Sequence, residues 1–248
     1  MDRLLEATAR AERDHFWFRG FRRFVTPLLE ESAAGRRDLL ALDCGCGTGH
    51  NLHLLRQYGR AVGIDLTYSG LRYAVSHGER QVARASAGLL PFAAGVFDLV
   101  ASFDVIYSLP DEVERDALRE MHRVVKPGGR LVLNVAAMPS LHGSHSVLSG
   151  EIRRYSRRDL RTRLEGAGFT IDRLTYTNAA TLPLTAGVRL VQRALGREAS
   201  AAEISVPIAP VNAALTAALA VEALALKVVD MPAGSSLLCL ATKPISPR

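Results

Sequence analysis

The feature that most constrains the fold is the stretch LLALDCGCGTGHNL, from Leu39 to Leu52, where an apolar run ends in an aspartate and passes into a glycine-rich turn. A strand, a tight turn and a helix in this order form the unit from which parallel sheets with helical crossovers are built. A second apolar run, AVGID, also ends in an aspartate, Asp65. Ligands of such sheets bind outside the carboxyl ends of the strands. We therefore expect Asp43, Asp65 and the turn between them to form one ligand site.

Strand-like and helix-like patterns alternate along the rest of the chain. Strands are predicted at 39–43, 61–65, 81–84, 97–102, 130–136, 169–176 and 235–241. Helices are predicted at 19–34, 49–58, 69–76, 112–125, 157–167, 185–195 and 211–229, with a break or bend at Pro27 in the first. This alternation predicts an α/β fold in which a mostly parallel sheet is covered by helices on both faces.

Composition narrows the class of protein. The 248 residues are 48% hydrophobic and 23% charged, which is typical of a globular chain with a sizeable core. The net charge of +6 would permit a nucleic-acid partner. However, lysine occurs only at Lys126, Lys227 and Lys243, so arginine carries nearly all the positive charge. We interpret this as a compositional bias with a solvated surface.

The cysteine content, the charged N-terminal residues and the charges within the longest apolar run together predict an intracellular chain. Three cysteines do not make a disulfide framework, and the Cys44-Gly45-Cys46 pair has no companion at zinc-like spacing, so no metal site is expected. The first fifteen residues are charged and predict no signal peptide. The apolar run 211–229 carries Glu222 and Lys227, which favours a packing helix over a membrane span. We expect a cytoplasmic protein.

The spacing of the glycines indicates which ligand the turn holds. A dinucleotide fingerprint reads G-x-G-x-x-G, whereas Gly45, Gly47 and Gly49 are spaced G-x-G-x-G. Asp43 would also repel phosphate. S-adenosylmethionine carries an ammonium, a sulfonium and a ribose diol but no phosphate, so it fits better: Asp43 can attract the cationic end, and both oxygens of Asp65 can accept from the ribose hydroxyls. Asp65 can also act as a helix cap.

Four segments in order then resemble the class I S-adenosylmethionine-dependent methyltransferases, in the small-molecule branch of types 11 and 12. They are LALDCGCGTGHN, AVGIDLT, AGLLPFAAGVFDLVASFDVIYSLPD and ALREMHRVVKPGGRLVLNV, within residues 36–137. The resemblance implies a Rossmann-like sandwich with seven strands in the order 3-2-1-4-5-7-6, the last strand antiparallel, and S-adenosylmethionine as the cofactor, with S-adenosylhomocysteine as its product.

The resemblance also implies a division of the chain. Residues 1–35 would form a helical cap, and residues 36–180 the cofactor-binding α/β core. Residues 181–232 would form a helical insertion between strands six and seven, and residues 233–248 the final strand and tail. We expect the second helix of the insertion to be buried. The insertion either roofs an apolar or bulky acceptor or serves a dimer interface or a sheet edge.

Further cofactor contacts follow from the resemblance. Leu66 would pack on adenine, and Ser86 stands where the family has an acidic residue for the adenine amine, with the Ala87 N–H beside it. Phe103 either lines the cofactor pocket or is a core aromatic residue. Arg19 or Arg22 either pairs with the methionine carboxylate or faces solvent. The whole expected cofactor set is Asp43, Gly45, Cys46, Gly47, Gly49, Asp65, Leu66, Ser86, Ala87, Phe103, Arg19 and Arg22.

Methyl transfer needs a base only where the nucleophile loses a proton. Candidate catalytic residues in the loop after strand five are His142, His145 and Glu151, although a loop histidine is more often a surface residue. Tyr107, after strand four, could orient the acceptor.

The expected enzyme is a methyltransferase that acts on an O, N or C nucleophile of a small-molecule acceptor, natural products among them. The first alternative is a protein of this fold that binds the cofactor without methylating, as a rearrangement catalyst or sensor. The second is an RNA or DNA methyltransferase, which the absence of a D/N-P-P-Y signature after strand four disfavours. A homodimer is a further open expectation.

Overall fold

The computed structural model describes residues 2–142, 150–194 and 206–245. Its sheet has the strand order β3-β2-β1-β4-β5-β7-β6. The neighbours from β3 through β5 pair in parallel, and β7 is antiparallel to both β5 and β6. This confirms the predicted architecture. The strands are β1 Leu39–Cys44, β2 Gly59–Asp65, β3 Val82–Arg84, β4 Phe97–Phe103, β5 Val125–Ala136, β6 Thr170–Thr177 and β7 Ser236–Thr242.

Helices cover both faces of the sheet. They are α1 Asp2–Ala11, α2 Phe16–Ala33, α3 Leu52–Leu55, α4 Tyr68–Ser76, α5 Asp111–Val124, α6 Arg157–Gly166, α7 Leu182–Ala194 and α8 Ala209–Ala225. One buried cluster joins the sheet to α5 and α6, through residues such as Met121 and Leu164. The other joins it to α2, α3 and α8, through residues such as Leu28, Leu55 and Leu219. The Val/Leu-rich strands are buried on both faces because each face has its own helical layer.

Several elements differ from their predicted description, among them the following three. The helix predicted at 49–58 is shorter, with α3 followed by a 3-10 turn at Arg56–Tyr58, because the glycine turn occupies its start. α2 continues through Pro27 without a break. β5 begins at Val125 instead of residue 130, because an irregular segment lies between the pairs Phe97–Val125 and Leu99–Arg130.

The insertion contributes a helix that covers α2. The prediction that α8 is buried holds for one side of the helix only. Its buried residues form one stripe, consisting of Asn212, Thr216, Leu219 and Glu222, whereas Val221 and Leu224 are exposed. Because alanine side chains are small, the outer face of this helix exposes little apolar surface per residue and can face solvent. Within the described ranges, no helix has the length and apolarity needed to cross a membrane.

The inner stripe of α8 carries polar anchors. Asn212 accepts a hydrogen bond from the Phe16 N–H at 2.8 Å and donates to the Asp14 carbonyl at 2.8 Å. Glu222 accepts from the N–H groups of Ala179 and Ala180 at 3.0 and 2.8 Å. These contacts fix α8 between the start of α2 and the segment that leads into α7.

Candidate cofactor and acceptor site

The two strand-end aspartates lie on adjacent strands at the carboxyl edge of the sheet. Asp43 of β1 is in register with Gly63 of β2 and with Ala101 of β4. Asp65 is the last residue of β2. The glycine turn that follows β1 contacts Asp65, since the Gly47 N–H donates to Asp65 Oδ2 at 2.8 Å. The structure therefore brings both carboxylates and the turn together, as the sequence predicts.

Two glycines of the turn have different physical reasons to be glycine. Gly45 has φ 92°, and a Cβ there would overlap the Val105 side chain, so close packing excludes any larger residue. Gly47 has φ 49°, but a Cβ there would have no heavy atom within 4 Å. The turn thus leaves open space beside Gly47, where a ligand can approach the backbone closely.

Asp43 is the most anomalous group of the site. Its side chain is 1% exposed, and among the described residues neither carboxylate oxygen has a hydrogen-bond partner. Burial and, second to it, the charge of Asp65 together raise the pKa of Asp43 to about 7. A buried carboxylate without donors is costly. A cationic ligand beside it would remove that cost, which is the property expected of a site for the ammonium and sulfonium of S-adenosylmethionine.

Asp65 is held in place on both oxygens. Oδ1 accepts from the Thr67 N–H at 2.6 Å, and Oδ2 accepts from Gly47. A carboxylate oxygen has lone pairs left after one such bond. Asp65 can therefore still accept from a ribose diol while the backbone fixes its orientation. Thr67 is the N-cap residue of α4, which has no side-chain cap, so Asp65 does not cap this helix as the sequence allowed.

The residues predicted to contact adenine differ in their surroundings. Leu66 is 61% exposed beside Asp65, which leaves its side chain available to a planar ring. Ser86 uses its hydroxyl oxygen to accept from the Gly88 N–H at 3.2 Å. Ala87 is buried in the core cluster that includes α5. Ser86 thus supports its own turn, and the roles of Ser86 and Ala87 toward adenine stay predictions.

Cys46 and Phe103 belong to the core beneath the site. A Cβ on Gly63 would lie 2.7 Å from Cys46 Sγ, so the thiol packs against β2 and only the backbone of Cys46 is in the turn. The Phe103 ring meets the Phe21 ring of α2 edge to face at 5.0 Å between centroids. This contact places α2 directly over the end of β4.

The two arginines of α2 differ in their surroundings. Arg19 is exposed. Arg22 donates to the carbonyls of Glu12 and Arg13 at 2.8 and 3.1 Å, and its guanidinium lies 3.1 Å from His50 Nε2. In this arrangement Arg22 ties the end of α1 to the segment after the glycine turn. Pairing of either arginine with a methionine carboxylate stays a prediction.

A contact that could not be predicted from the sequence joins α1 to the turn itself. Thr48 Oγ1, buried beside Gly47, donates to the Glu12 carboxylate with distances of 2.8 and 2.7 Å to its two oxygens. Burial raises the pKa of Glu12, although the Thr48 hydrogen bond lowers it. Nothing in the local pattern of either segment signals a pair 36 residues apart.

The predicted acceptor-side residues gather beyond β4 and β5. The Tyr107 carbonyl accepts from the Ile152 N–H at 2.9 Å, so Tyr107 lies against the segment that carries Glu151. Glu151 pairs with Arg154 through contacts of 2.9 and 3.1 Å, and its carbonyl lies 3.3 Å from His142 Nε2. Tyr107, His142 and Glu151 are thus neighbours. His145 lies outside the described residues.

Sequence reasoning missed Asp104 and Asn134 at this edge. Asp104 directly follows β4 and has φ 61°. Asn134 Nδ2 donates to Asp104 Oδ1 at 3.0 Å, and the Asp104 N–H donates to the Asn134 carbonyl at 2.9 Å. The available signal was an acidic residue at the end of a third strand of the parallel sheet, the same position that identifies Asp43 and Asp65.

The comparisons with known proteins agree with this geometry. Residues 42–133 match the Methyltransf_11 family model, described as a methyltransferase domain. The chain is 37% identical over 125 residues to the ubiquinone/menaquinone biosynthesis C-methyltransferase of Syntrophotalea carbinolica, covering 47% of this chain and 50% of that protein. It is 35% identical over 120 residues to the malonyl-[acyl-carrier protein] O-methyltransferase of Pseudescherichia vulneris, covering 48% and 47%. The matches thus span about half the length of these curated relatives.

Solved structures show the same fold. The crystal structure of the cyclase SpnF superposes with a TM-score of 0.57 at 21% sequence identity, covering 90% of this chain and 81% of that one. Fold, turn and family match together define a Rossmann-like methyltransferase domain. Residues 42–133 match a methyltransferase domain, and this match together with the class I methyltransferase fold indicates S-adenosylmethionine as the cofactor of the site.

Proposed function

We propose that this protein transfers a methyl group from S-adenosylmethionine to an O, N or C nucleophile of a small-molecule acceptor. The observation that carries the proposal is Asp43, a buried carboxylate with no hydrogen-bond partner among the described residues, on the strand that leads into the turn with open space at Gly47. The two relatives named above methylate small molecules or a carrier-bound acyl group according to their names. By analogy with these relatives, we propose that this chain also methylates a small molecule.

The residues of this chain would bind and orient the reactants. Asp65 holds the ribose, the carboxylate of Asp43 attracts the cationic end, and the open side of Gly47 receives the ligand. The bound cofactor supplies an electrophilic methyl carbon on a sulfonium with a good leaving group. The contribution left to the protein is mainly positioning of the acceptor and exclusion of water.

The helical layer around α2 is suited to excluding water. Phe103 is covered by Phe21 of α2, and α2 is covered by the inner stripe of α8. We propose that residues 1–35 act as a cap and that the 181–232 insertion supports this cap over the acceptor. An apolar or bulky acceptor fits a cover of this composition. Tyr107, His142 and Glu151 lie on the acceptor side.

A screen with methyl-labelled S-adenosylmethionine tests the proposal. The purified chain is incubated with pools of small hydroxylated, amino and carbon-acid acceptors, and labelled products are identified by mass spectrometry. The Asp43→Asn variant is the matched negative control, and an Asp116→Asn variant on the exposed surface of α5 is the positive one. Tight cofactor binding without label transfer to any acceptor pool would contradict the proposal.

Ser86 supports a second candidate function. Where the family has an acidic residue, this chain has a serine whose hydroxyl oxygen already accepts from Gly88. A chain that binds the cofactor without consuming it, as a rearrangement catalyst or sensor, would need less adenine recognition. Recovery of the labelled cofactor unchanged, together with a converted but unmethylated acceptor, would favour this candidate.

We propose that the reaction takes place in the cytoplasm. The three cysteines are free and buried, which suits the reducing conditions of the cytoplasm. We propose no nucleic-acid partner. A salt-dependent gel shift with RNA or DNA would overturn that part of the proposal.

A further inference from the structure

The carboxylate of Asp104 is placed with unusual precision for a residue in a turn. Its φ of 61° lies in the left-handed region, which L residues other than Asn and Asp rarely adopt. Backbone and side chain are both held by one residue of β5, because Asn134 accepts from the Asp104 N–H and donates to Oδ1. The remaining oxygen, Oδ2, has no hydrogen-bond donor among the described residues.

Among the described residues, the cation that acts on Asp104 is Arg154, which is also paired with Glu151. The groups that face it are Asn134 on β5, Tyr107 after β4, and Glu151 and Arg154 on the segment before α6. Arg154 forms two contacts with Glu151 and a 2.9 Å hydrogen bond to the Ala137 carbonyl. The pKa of Asp104 is raised to about 7, because burial and the charge of Glu151 outweigh the opposing effects of the Asn134 hydrogen bond and Arg154.

The strand order locates Asp104 relative to the cofactor. Along the carboxyl edge, β2, β1, β4 and β5 are consecutive. They present Asp65, Asp43, Asp104 and Asn134 in that sequence. The ribose is assigned to Asp65 and the cationic end to Asp43, so the next positions along the edge are on the acceptor side. Tyr107 and Glu151 lie on this same side.

We propose that Asp104, held by Asn134, takes the proton from the reacting hydroxyl of the acceptor, and that the acceptor is a neutral phenol or enol. This inference rests on the proposed methyltransferase function. The acceptor O–H gives its proton to Asp104 Oδ2 while its oxygen forms a bond to the methyl carbon. The bond from that carbon to sulfur breaks, and its electron pair stays on sulfur as a neutral thioether. Asp104 then releases the proton to water.

Two phenols of different acidity test the proposal. With methyl-labelled S-adenosylmethionine at about pH 8, unsubstituted phenol is mostly protonated and needs a base, whereas 4-nitrophenol is mostly ionised already. Asp104→Asn keeps the left-handed turn and an acceptor for Asn134 but cannot take the proton. We expect it to slow phenol methylation by about 10²–10⁴-fold, the usual contribution of a general base. We expect the loss with 4-nitrophenol to be at least about tenfold smaller.

The controls separate the role of Asp104 from folding and binding. Calorimetry with S-adenosylhomocysteine should show wild-type affinity in Asp104→Asn, and Asp116→Asn should retain both activities. Asp104→Gly also tolerates φ 61° and should show the same difference between the two phenols. An equal loss with both phenols, or no loss, would overturn the assignment of the base. Methylation of amines or carbon acids but not of either phenol would overturn the acceptor class alone, whereas no methylation of any acceptor would overturn the proposed function itself.

Discussion

Gly20 of α2 and Leu219 of α8 are packed so closely that a Cβ on Gly20 would overlap the Leu219 side chain. Leu219 is 0% exposed, and it joins α8 to the cluster that includes Phe21 and Phe24. The seam between these helices therefore depends on a glycine on one side and a leucine on the other.

Leu219→Ala should lower the free energy of unfolding by about 2–5 kcal/mol, the usual cost of a cavity in a core. Leu224→Ala is the matched control, because Leu224 of the same helix is 63% exposed and should change stability by less than about 0.5 kcal/mol. Urea denaturation followed by circular dichroism measures both. If α8 also supports the cover of the acceptor, the KM for an acceptor should rise in Leu219→Ala at unchanged cofactor affinity. Equal stability of the two variants would show that the seam is not a core contact.

Gly47→Val should abolish cofactor binding while the chain stays folded. The added side chain would project into open space, where the ligand is expected, although the left-handed φ will cost about 1–2 kcal/mol. Gly45→Ala is the informative contrast, because its methyl group would overlap Val105 and should destabilise the fold. Calorimetry and thermal melting distinguish the two effects. Wild-type affinity in Gly47→Val would mean that the turn does not cradle the ligand.

Asp65→Ala should weaken binding of both S-adenosylmethionine and S-adenosylhomocysteine by about 1.5–3 kcal/mol, because hydrogen bonds to a charged acceptor are lost. The variant also loses the hydrogen bonds from Gly47 and Thr67 that order the turn. Asp65→Asn keeps an acceptor oxygen and should fall between wild type and Asp65→Ala. Titration calorimetry provides the affinities, and an unchanged affinity in both variants would refute the ribose role.

Asp43 should make the stability of the ligand-free protein fall as pH rises from about 4 to about 7. Its pKa is about 7 in the folded chain, well above the ordinary value of 3.8, so the folded state binds more protons than the unfolded state in this window. By linkage the free energy of unfolding then falls with pH, by at most about 1.4 kcal/mol per unit for this group.

Asp43→Asn isolates this effect. The difference in unfolding free energy between Asp43→Asn and wild type should grow between about pH 4 and 7, whereas Asp116→Asn should show no such trend. The same substitution should weaken cofactor binding, because it removes the charge that attracts the cationic end. A pH-independent difference would show that folding does not raise the pKa of Asp43.

Much of the fold was predictable from local pattern. The apolar runs ending in Asp43 and Asp65 identify β1 and β2, and the glycines between them identify the turn, because strand, turn and helix signals are all contained in a dozen residues. The bounds of α3 and β5 were less predictable. Positive φ values at the glycines shorten α3, and the pairing of Val125 with Phe97 depends on a strand distant in sequence.

Contacts of the site between residues of one strand-turn-strand pattern were predictable, whereas contacts that depend on tertiary packing were not. The Asp65–Gly47 contact follows from the strand and turn pattern. The Glu12–Thr48 contact and the Asp104–Asn134 pair join elements whose proximity only the tertiary fold determines. The exposure of the outer face of α8 was missed for a related reason: an alanine-rich helix has no strong apolar stripe, so its buried side is set by anchors such as Asn212 and Glu222.

The hydrogen bonds of Asn212 have a consequence for the order of assembly during synthesis. They join α8 to backbone groups 196 and 198 residues earlier in the chain. Domains begin to fold as they leave the ribosome, and closing a long loop costs entropy before any contact repays it. The sheet from β1 to β5 can form while α8 is still being translated, but the joint between α2 and α8 cannot. The strands that form the cofactor site can therefore fold first, and α8 packs against α2 last.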